Sequence, residues 1–343
     1  MDHSRSKLSF IDELNGLRAT AIALVILRHW FGLGNDSLNL GDLGVTIFFV
    51  LSGFLITRIL LLERSYRDTQ KKSISSILRS FYLKRVLRIF PIYYLLLLVL
   101  FIFNKELLED SLKWHLSYLS NYYFVIVRHG WQSSLSHLWS LAVEEQFYII
   151  WPLLILFTPS NLLKYLLIIF IIIAPVFRLI YFNPNQLYKY LTPGCFDALA
   201  LGGMIAYYEK SILQITNKHM KFVNFMIVLS MLFIYLVSQT ESAKFKEVFE
   251  RFSYSIMATF LIVKLLSKSD SLLHKMFRWG PILFIGTISY GLYLYHNLIP
   301  FYTIERVPFI FNYVLRVLIL LTIASLSYYI IEKPIMRLKK FVK

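Results

Sequence analysis

An all-α protein that crosses a membrane many times is the fold class this sequence predicts, and three observations carry that reading. Of its 343 residues, 57% are hydrophobic and 16% charged, where a soluble domain has about 45–50% and about 25%. Apolar runs recur along the whole chain, many of them close to the roughly 20 residues a helix needs to cross a bilayer. The 29 Phe, 23 Tyr and 6 Trp suit aromatic belts at two water interfaces. A soluble enzyme is excluded. The single cysteine, Cys195, excludes an internal disulfide and any CxxC metal or redox site. The net charge of +16 does not point to nucleic acid, because the basic residues sit mostly between apolar runs. No cleavable signal is expected, since residues 1–15 are mixed polar and no small-residue cleavage site follows the first run.

Ten runs are expected to span: 16–33, 43–62, 89–104, 136–157, 163–182, 193–208, 221–238, 251–266, 281–299 and 313–331. Residues 112–127 carry Lys113, His115, Asn121 and several Tyr, which better suits an interfacial helix with one apolar face. Charge decides between ten spans and eleven. With ten, the inner segments hold 22 Lys and Arg and the outer segments 8. An eleventh span would send the tail Lys333, Arg337, Lys339, Lys340 and Lys343 outside, against the positive-inside bias. The expectation is therefore about ten transmembrane helices, both termini cytoplasmic, in the cell (inner) membrane. No segment between runs is long enough for a domain of its own, so residues 1–343 read as a single membrane domain.

Charged groups inside spans are costly and usually face the bundle interior, where they mark function. The first span carries Arg18, Arg28 and His29. Arg18 and His29 are eleven residues apart, which returns to within about 20° of one face and separates them by about 16 Å along the axis. The bland alternative makes Arg18 an inner-edge anchor and Arg28 with His29 an outer-edge snorkel. The fourth span opens Ser136-His137-Leu138-Trp139-Ser140, and its His137, Ser140 and Glu144 share a face, with Glu145 turned away. An interface helix capped by Ser136 would explain the polar start but not two carboxylates two turns inside. Arg85 and Arg88, one turn apart before Pro91, suit a phosphate because the guanidinium fork binds oxyanions bidentately. A basic loop beside any span looks much the same. Ser289, Tyr293 and His296 share a face of the ninth span, Glu332-Lys333-Pro334 closes the tenth, and Asp197 must have a partner the sequence does not name.

These strings together resemble the acyltransferase-3 family of integral membrane O-acyltransferases, over essentially the whole chain. The matching pieces are Leu14-Asn15-Gly16-Leu17-Arg18-Ala19 leading to His29, the block Gly44–Ile56, Arg85/Arg88 before Pro91, the segment His137–Tyr148, Ser289–His296 and Glu332-Lys333-Pro334. The His137–Tyr148 segment and the Phe48–Leu55 block are the specific ones. The resemblance implies a ten-helix fold that moves acyl groups, commonly acetyl, from coenzyme A to sugar hydroxyls. It makes Arg18 and His29 an Arg-x10-His pair with His29 catalytic, and Arg85 and Arg88 an Arg-x-x-Arg motif that handles acyl-CoA. Thr46 departs from the pattern, standing where many members carry Asp. Cys195 lies where Arg is expected in some relatives. The extracytoplasmic hydrolase-like domain that some relatives add is not expected here, since twelve residues follow the tenth span.

Acyl transfer to an alcohol needs a base for the hydroxyl proton and donors for the developing oxyanion. A neutral His29 oriented by a carboxylate could be that base, with Glu144 the first choice as orienter and Glu145 the second. Arg18, Arg85, Arg88, His137, Ser140 and His296 are the candidates for binding acyl-CoA and the acceptor. No metal site and no tightly bound cofactor are expected; acyl-CoA, most simply acetyl-CoA, is the donor substrate. The acceptor reads as a cell-surface or lipid-linked glycan. The rivals are a small hydroxylated metabolite as acceptor, or a transporter of lipid-linked sugar or acyl species.

Overall fold

A computed structural model describes residues 11–33, 38–70, 72–108, 110–132, 134–267, 269, 271–299 and 309–342. Every regular element among them is helical. The expected first ten residues, parts of the loops at 34–42 and 300–312, and the tail residue Lys343 lie outside the described residues.

Helix α1 (Asp12–Phe31) begins with Asp12 and Glu13 and ends with Arg28 and His29, charges that complement the two ends of its dipole. Gly32, in the left-handed region at φ 61°, closes it by donating to the Arg28 carbonyl. In α2 (Leu40–Gln70) the Asn39 side chain caps the first turn by accepting from the Asp42 amide at 3.1 Å. Ser73 does the same for α3 (Ile74–Phe103), accepting from the Ser76 amide at 3.1 Å. The chain continues through α4 (Leu138–Phe157), α5 (Leu163–Ile180), α6 (Phe196–Tyr207), α7 (Met220–Gln239) and α8 (Ala243–Leu266). It ends with α9 (Gly280–Thr287), α10 (Ser289–Tyr295) and α11 (Phe309–Ser327).

Six segments are long and apolar enough to cross a membrane: α2, α3, α4, α5, α7 and Phe311–Phe341. Their burial sorts them into centre and rim. The apolar windows of α2 and α4 are each 61% buried, against 22% for α5 and α7 and 17% for the last segment. The two helices that carry the Phe48–Leu55 and His137–Tyr148 motifs are thus the most buried of these six, while α5 shows a stripe of exposed Ile168, Ile169, Ile172 and Val176 that suits lipid.

The other expected spans are α1, α6, α8 and α9–α10, and two depart from a simple run. Helix α6 has 12 residues, about 18 Å, because Pro193 and Gly194 begin it in a 3-10 turn. The ninth run breaks at Ile288 into α9 and α10, then tightens into a 3-10 turn at His296–Leu298. Irregular backbone at membrane depth is tolerated only where protein satisfies it, and the carbonyls freed here are used by histidines described below.

Residues 112–127 are not one interfacial helix. They bend through Leu112–Leu116, a left-handed Tyr118 at φ 53°, Ser120–Tyr122 and a π turn at Tyr123–Val127. The reason is polar capture: Gln146 of α4 donates to the Tyr118 carbonyl at 2.7 Å and to Asn121 Oδ1 at 2.9 Å, and Tyr93 donates to the His115 carbonyl at 3.0 Å. Burial lowers the pKa of His115 in this segment to about 4, so it stays neutral.

Close packing of α2 on α6 sets the centre of the bundle. A Cβ on Gly53 would meet the Leu199 carbonyl, and one on Gly202 the Val50 carbonyl, so the two backbones touch where small residues permit it. Gly286 of α9 lies in the same way against the carbonyl of Asn15 on α1. Asp197 of α6 finds its partner in Arg178 of α5, at 2.6 Å with both side chains wholly buried.

Candidate active site

A cavity of about 330 Å³ runs between α1, α2, α3, α4 and α10. Along α2 its wall extends from Val45 to Ile59, about 21 Å of helix, so the space is long and narrow. Apolar side chains such as Phe48, Leu51 and Leu55 make most of the lining. Its charged lining is Arg18, Arg58, Arg85, Arg88, Glu144 and Glu145, with the Tyr148 hydroxyl beside them. Six of the sequence-predicted site residues therefore line one cavity, namely Arg18, Arg85, Arg88, Ser140, Glu144 and Glu145.

Several of these groups are held by their neighbours. Arg18 donates to Asn15 Oδ1 at 2.7 Å, one turn earlier on α1. The Arg85 guanidinium stacks 5.0 Å from the Tyr148 ring centre and 5.8 Å from that of Phe81. Tyr148 is itself hydrogen-bonded to Ser52 of α2. Glu144 lies among the Ser52 and Tyr148 hydroxyls and the Arg85 and Arg88 guanidiniums. Both carboxylates reach the cavity, although the helical spacing turns Glu145 away from His137. Arg85 and Arg88 also line a second cavity of about 200 Å³, together with Lys84, Lys339, Ser80 and Glu63. The arginine pair stands between the two spaces, and Arg88 is exposed.

The three candidate histidines form a separate group at the other end of the long cavity, and none of them lines it. Ser140 and Tyr293 lie between. Their hydroxyls are 2.6 Å apart, and Tyr293 also donates to the His137 carbonyl at 2.9 Å. Beyond them, the His137 and His296 rings are 4.9 Å apart between centres, and the His296 and His29 rings lie parallel, with His29 Nδ1 2.7 Å from His296 Nε2. His137 and His296 are buried, while His29 is exposed. The expected carboxylate orienter is corrected here: the hydrogen-bond partner of His29 is His296, and Glu144 and Glu145 sit with Arg18 and Arg85. Helical spacing puts Glu144 on the His137 face but carries no information about which turn of α1 that face meets.

Sequence reasoning passed over a third cluster. Asp42 of α2 accepts from Tyr190 at 3.1 Å and pairs with Arg251 of α8 at 3.7 Å. Arg251 donates to the Lys189 carbonyl at 2.6 Å and meets Cys195 Sγ at 3.0 Å, so a guanidinium from α8 stands at the cysteine where arginine had been expected. Burial opposes the charge of Lys189, yet Tyr190, Asp42, Glu247 and Glu250 together hold its pKa above the ordinary lysine value. Thr46, the other departure, donates to the Asp42 carbonyl at 2.6 Å within its own helix. Arg251 at the very edge of an apolar run was the available signal for this cluster.

Fold and site together define a membrane-embedded helical bundle that encloses an arginine- and carboxylate-lined cavity beneath a histidine cluster. The chain belongs to the acyltransferase-3 family, whose acyltransferase-domain model matches residues 11–332. It is 32% identical over 372 residues to YrhL of Bacillus subtilis (strain 168), provisionally named a peptidoglycan O-acetyltransferase, covering 98% of this chain and 56% of that protein. It is 30% identical over 372 residues to peptidoglycan O-acetyltransferase OatA of Listeria monocytogenes, covering 97% and 57%. The O-acetyltransferase OatA of Staphylococcus aureus is 30% identical over 360 residues, covering 95% and 57%. The chain thus spans little more than half the length of the curated relatives it matches. No solved structure matches it.

Proposed function

We propose that this chain transfers an acyl group, most simply acetyl from acetyl-CoA, to a hydroxyl of a cell-surface or lipid-linked glycan. The observation that supports it is the long cavity, with Arg18, Arg85 and Arg88 gathered at one end and the Ser140–Tyr293 hydroxyls beneath the histidines at the other. Guanidinium forks suit the phosphates of coenzyme A, a narrow apolar bore suits its extended arm, and an exposed imidazole suits an alcohol acceptor. The names of the relatives favour a peptidoglycan acceptor. With ten crossings and both termini cytoplasmic, the arginine pair would face the compartment that supplies acyl-CoA, and the protein would belong to the cell membrane.

In the reaction His29 takes the proton of the acceptor hydroxyl as its oxygen adds to the thioester carbonyl. Collapse of the adduct breaks the C–S bond, the ester leaves on the glycan, and the thiolate of coenzyme A receives the proton. A positioned base contributes about 10²–10⁴-fold. The test uses the purified chain in nanodiscs with radiolabelled acetyl-CoA and soluble peptidoglycan fragments. Alkali-labile label on the glycan is expected, reduced by about 10²–10⁴-fold in His29→Ala with insertion intact. A folded protein that leaves the thioester uncleaved in the presence of acceptor would overturn the reading.

A further inference from the structure

Three backbone carbonyls at the broken end of α10 each accept from a neighbouring side chain. The Tyr293 carbonyl lies 2.7 Å from His296 Nδ1, the Leu294 carbonyl 3.1 Å from His137 Nε2, and the His296 carbonyl 3.1 Å from the Trp30 indole nitrogen. A helix end leaves its last carbonyls without intrahelical partners, and here two of them meet imidazoles. A carbonyl can only accept. His296 Nδ1 therefore carries a proton, and in neutral His296 the other nitrogen, Nε2, must be an acceptor. The atom facing Nε2 at 2.7 Å is His29 Nδ1, so that nitrogen is the donor. What is left on His29 is Nε2 with its lone pair free, and no described residue hydrogen-bonds it.

We infer that His296 is a positioning residue that locks His29 in its Nδ1–H tautomer, so that Nε2 is the base; this rests on the acyl-transfer reading above. The relay runs from the Tyr293 carbonyl through His296 to His29, and a neutral imidazole fills the place a carboxylate usually takes. A charged His296 would reverse the direction of the bond, but it is wholly buried among His29, His137, Tyr293 and Trp30, and an unpaired buried charge is costly. His137 is kept out of the relay. Its Nε2 meets the Leu294 carbonyl at 3.1 Å and its Nδ1 the Asn297 amide nitrogen at 3.4 Å, so neither ring nitrogen is bonded to His29 or His296.

The experiment is solid-state nitrogen NMR of the full chain, labelled with ¹⁵N-histidine, in lipid bilayers. Protonated and bare imidazole nitrogens resonate far apart, and His29 is assigned among the 8 histidines by the signal lost in His29→Gln. The expected result is a protonated Nδ1 and bare Nε2 at His29 in the wild type, with the preference lost in His296→Leu. In the transfer assay His296→Leu should lower kcat by about 100-fold with KM for acetyl-CoA unmoved. His296→Gln, whose amide oxygen can still accept near the position of Nε2, should recover at least tenfold of that. A His29 that carries its proton on Nε2 in the wild type overturns the proposal, as does an unchanged kcat in a folded His296→Leu. A chain that shows the expected tautomer but never cleaves acetyl-CoA sinks the functional reading and leaves the relay standing.

Discussion

Breaking the Arg178–Asp197 pair should unfold the bundle from its centre, and the cost can be worked from the contacts. Asp197 Oδ2 accepts from the guanidinium at 2.6 Å while Oδ1 accepts from the Ala198 amide at 2.9 Å. Arg178 has one further bond, to the Gly194 carbonyl at 2.8 Å, and its Nε already lacks a partner. Asp197→Leu removes the charge-assisted bond to Arg178, worth about 1.5–3 kcal/mol, together with the bond from the Ala198 amide, and strands a wholly buried cation. The sum should approach the roughly 3–5 kcal/mol typical of breaking a buried pair. Arg178→Met should cost a similar amount for the mirror reason. The double variant Arg178→Met/Asp197→Leu should lie within about 1 kcal/mol of wild type, since apolar replacement of both partners is usually near neutral. Unfolding of the purified protein by SDS titration, read as a double-mutant cycle, measures all three. Additive losses in the double variant would refute the argument, for they would mean that the two side chains stabilise the fold independently and not as a pair.

Three other outcomes follow from the same geometry. Arg85→Lys/Arg88→Lys should weaken binding of a non-hydrolysable acyl-CoA by about 1–3 kcal/mol in titration calorimetry, because ammonium lacks the fork and the flat face that stacks on Tyr148; unchanged affinity would return the pair to a topological role. Gly53→Val places two methyl groups and a Cβ against the Leu199 carbonyl, so the protein should lose its accumulation in membranes, whereas Gly130→Ala, with open space around it, should not. A reporter active only in the cytoplasm, fused after Lys343, should be active; periplasmic activity instead would invert the orientation and remove the arginine pair from the acyl-CoA side.

Much of the architecture was legible in the chain because lipid makes local composition decisive. A helix in hydrocarbon must satisfy its own backbone, so apolar runs announce helices directly, and intramembrane charges such as Arg18, Glu144 and Asp197 announce an interior. The departures came where backbone polar groups have partners from elsewhere in the fold. Gln146 bends 112–127 from a distance of 28 residues, and no local pattern contains that contact. The break at Ile288 is likewise invisible in the run 281–299, since nothing in Thr287-Ile288-Ser289 demands it.

By itself the sequence determined a many-helix membrane bundle, the family, and a short set of residues that include the cavity's arginines and carboxylates. Helical spacing put Arg18 and His29 on one stripe, and Glu144 on the face of His137. Which of these groups meet was decided only by tertiary structure, because facing directions on one helix do not fix the register between helices. The α2–α6 glycine contact and the packing of α9 against α1 set that register. They bring Arg18 to Glu144 and Arg85 at one level, and His29 to His296 at another, about three turns of helix away.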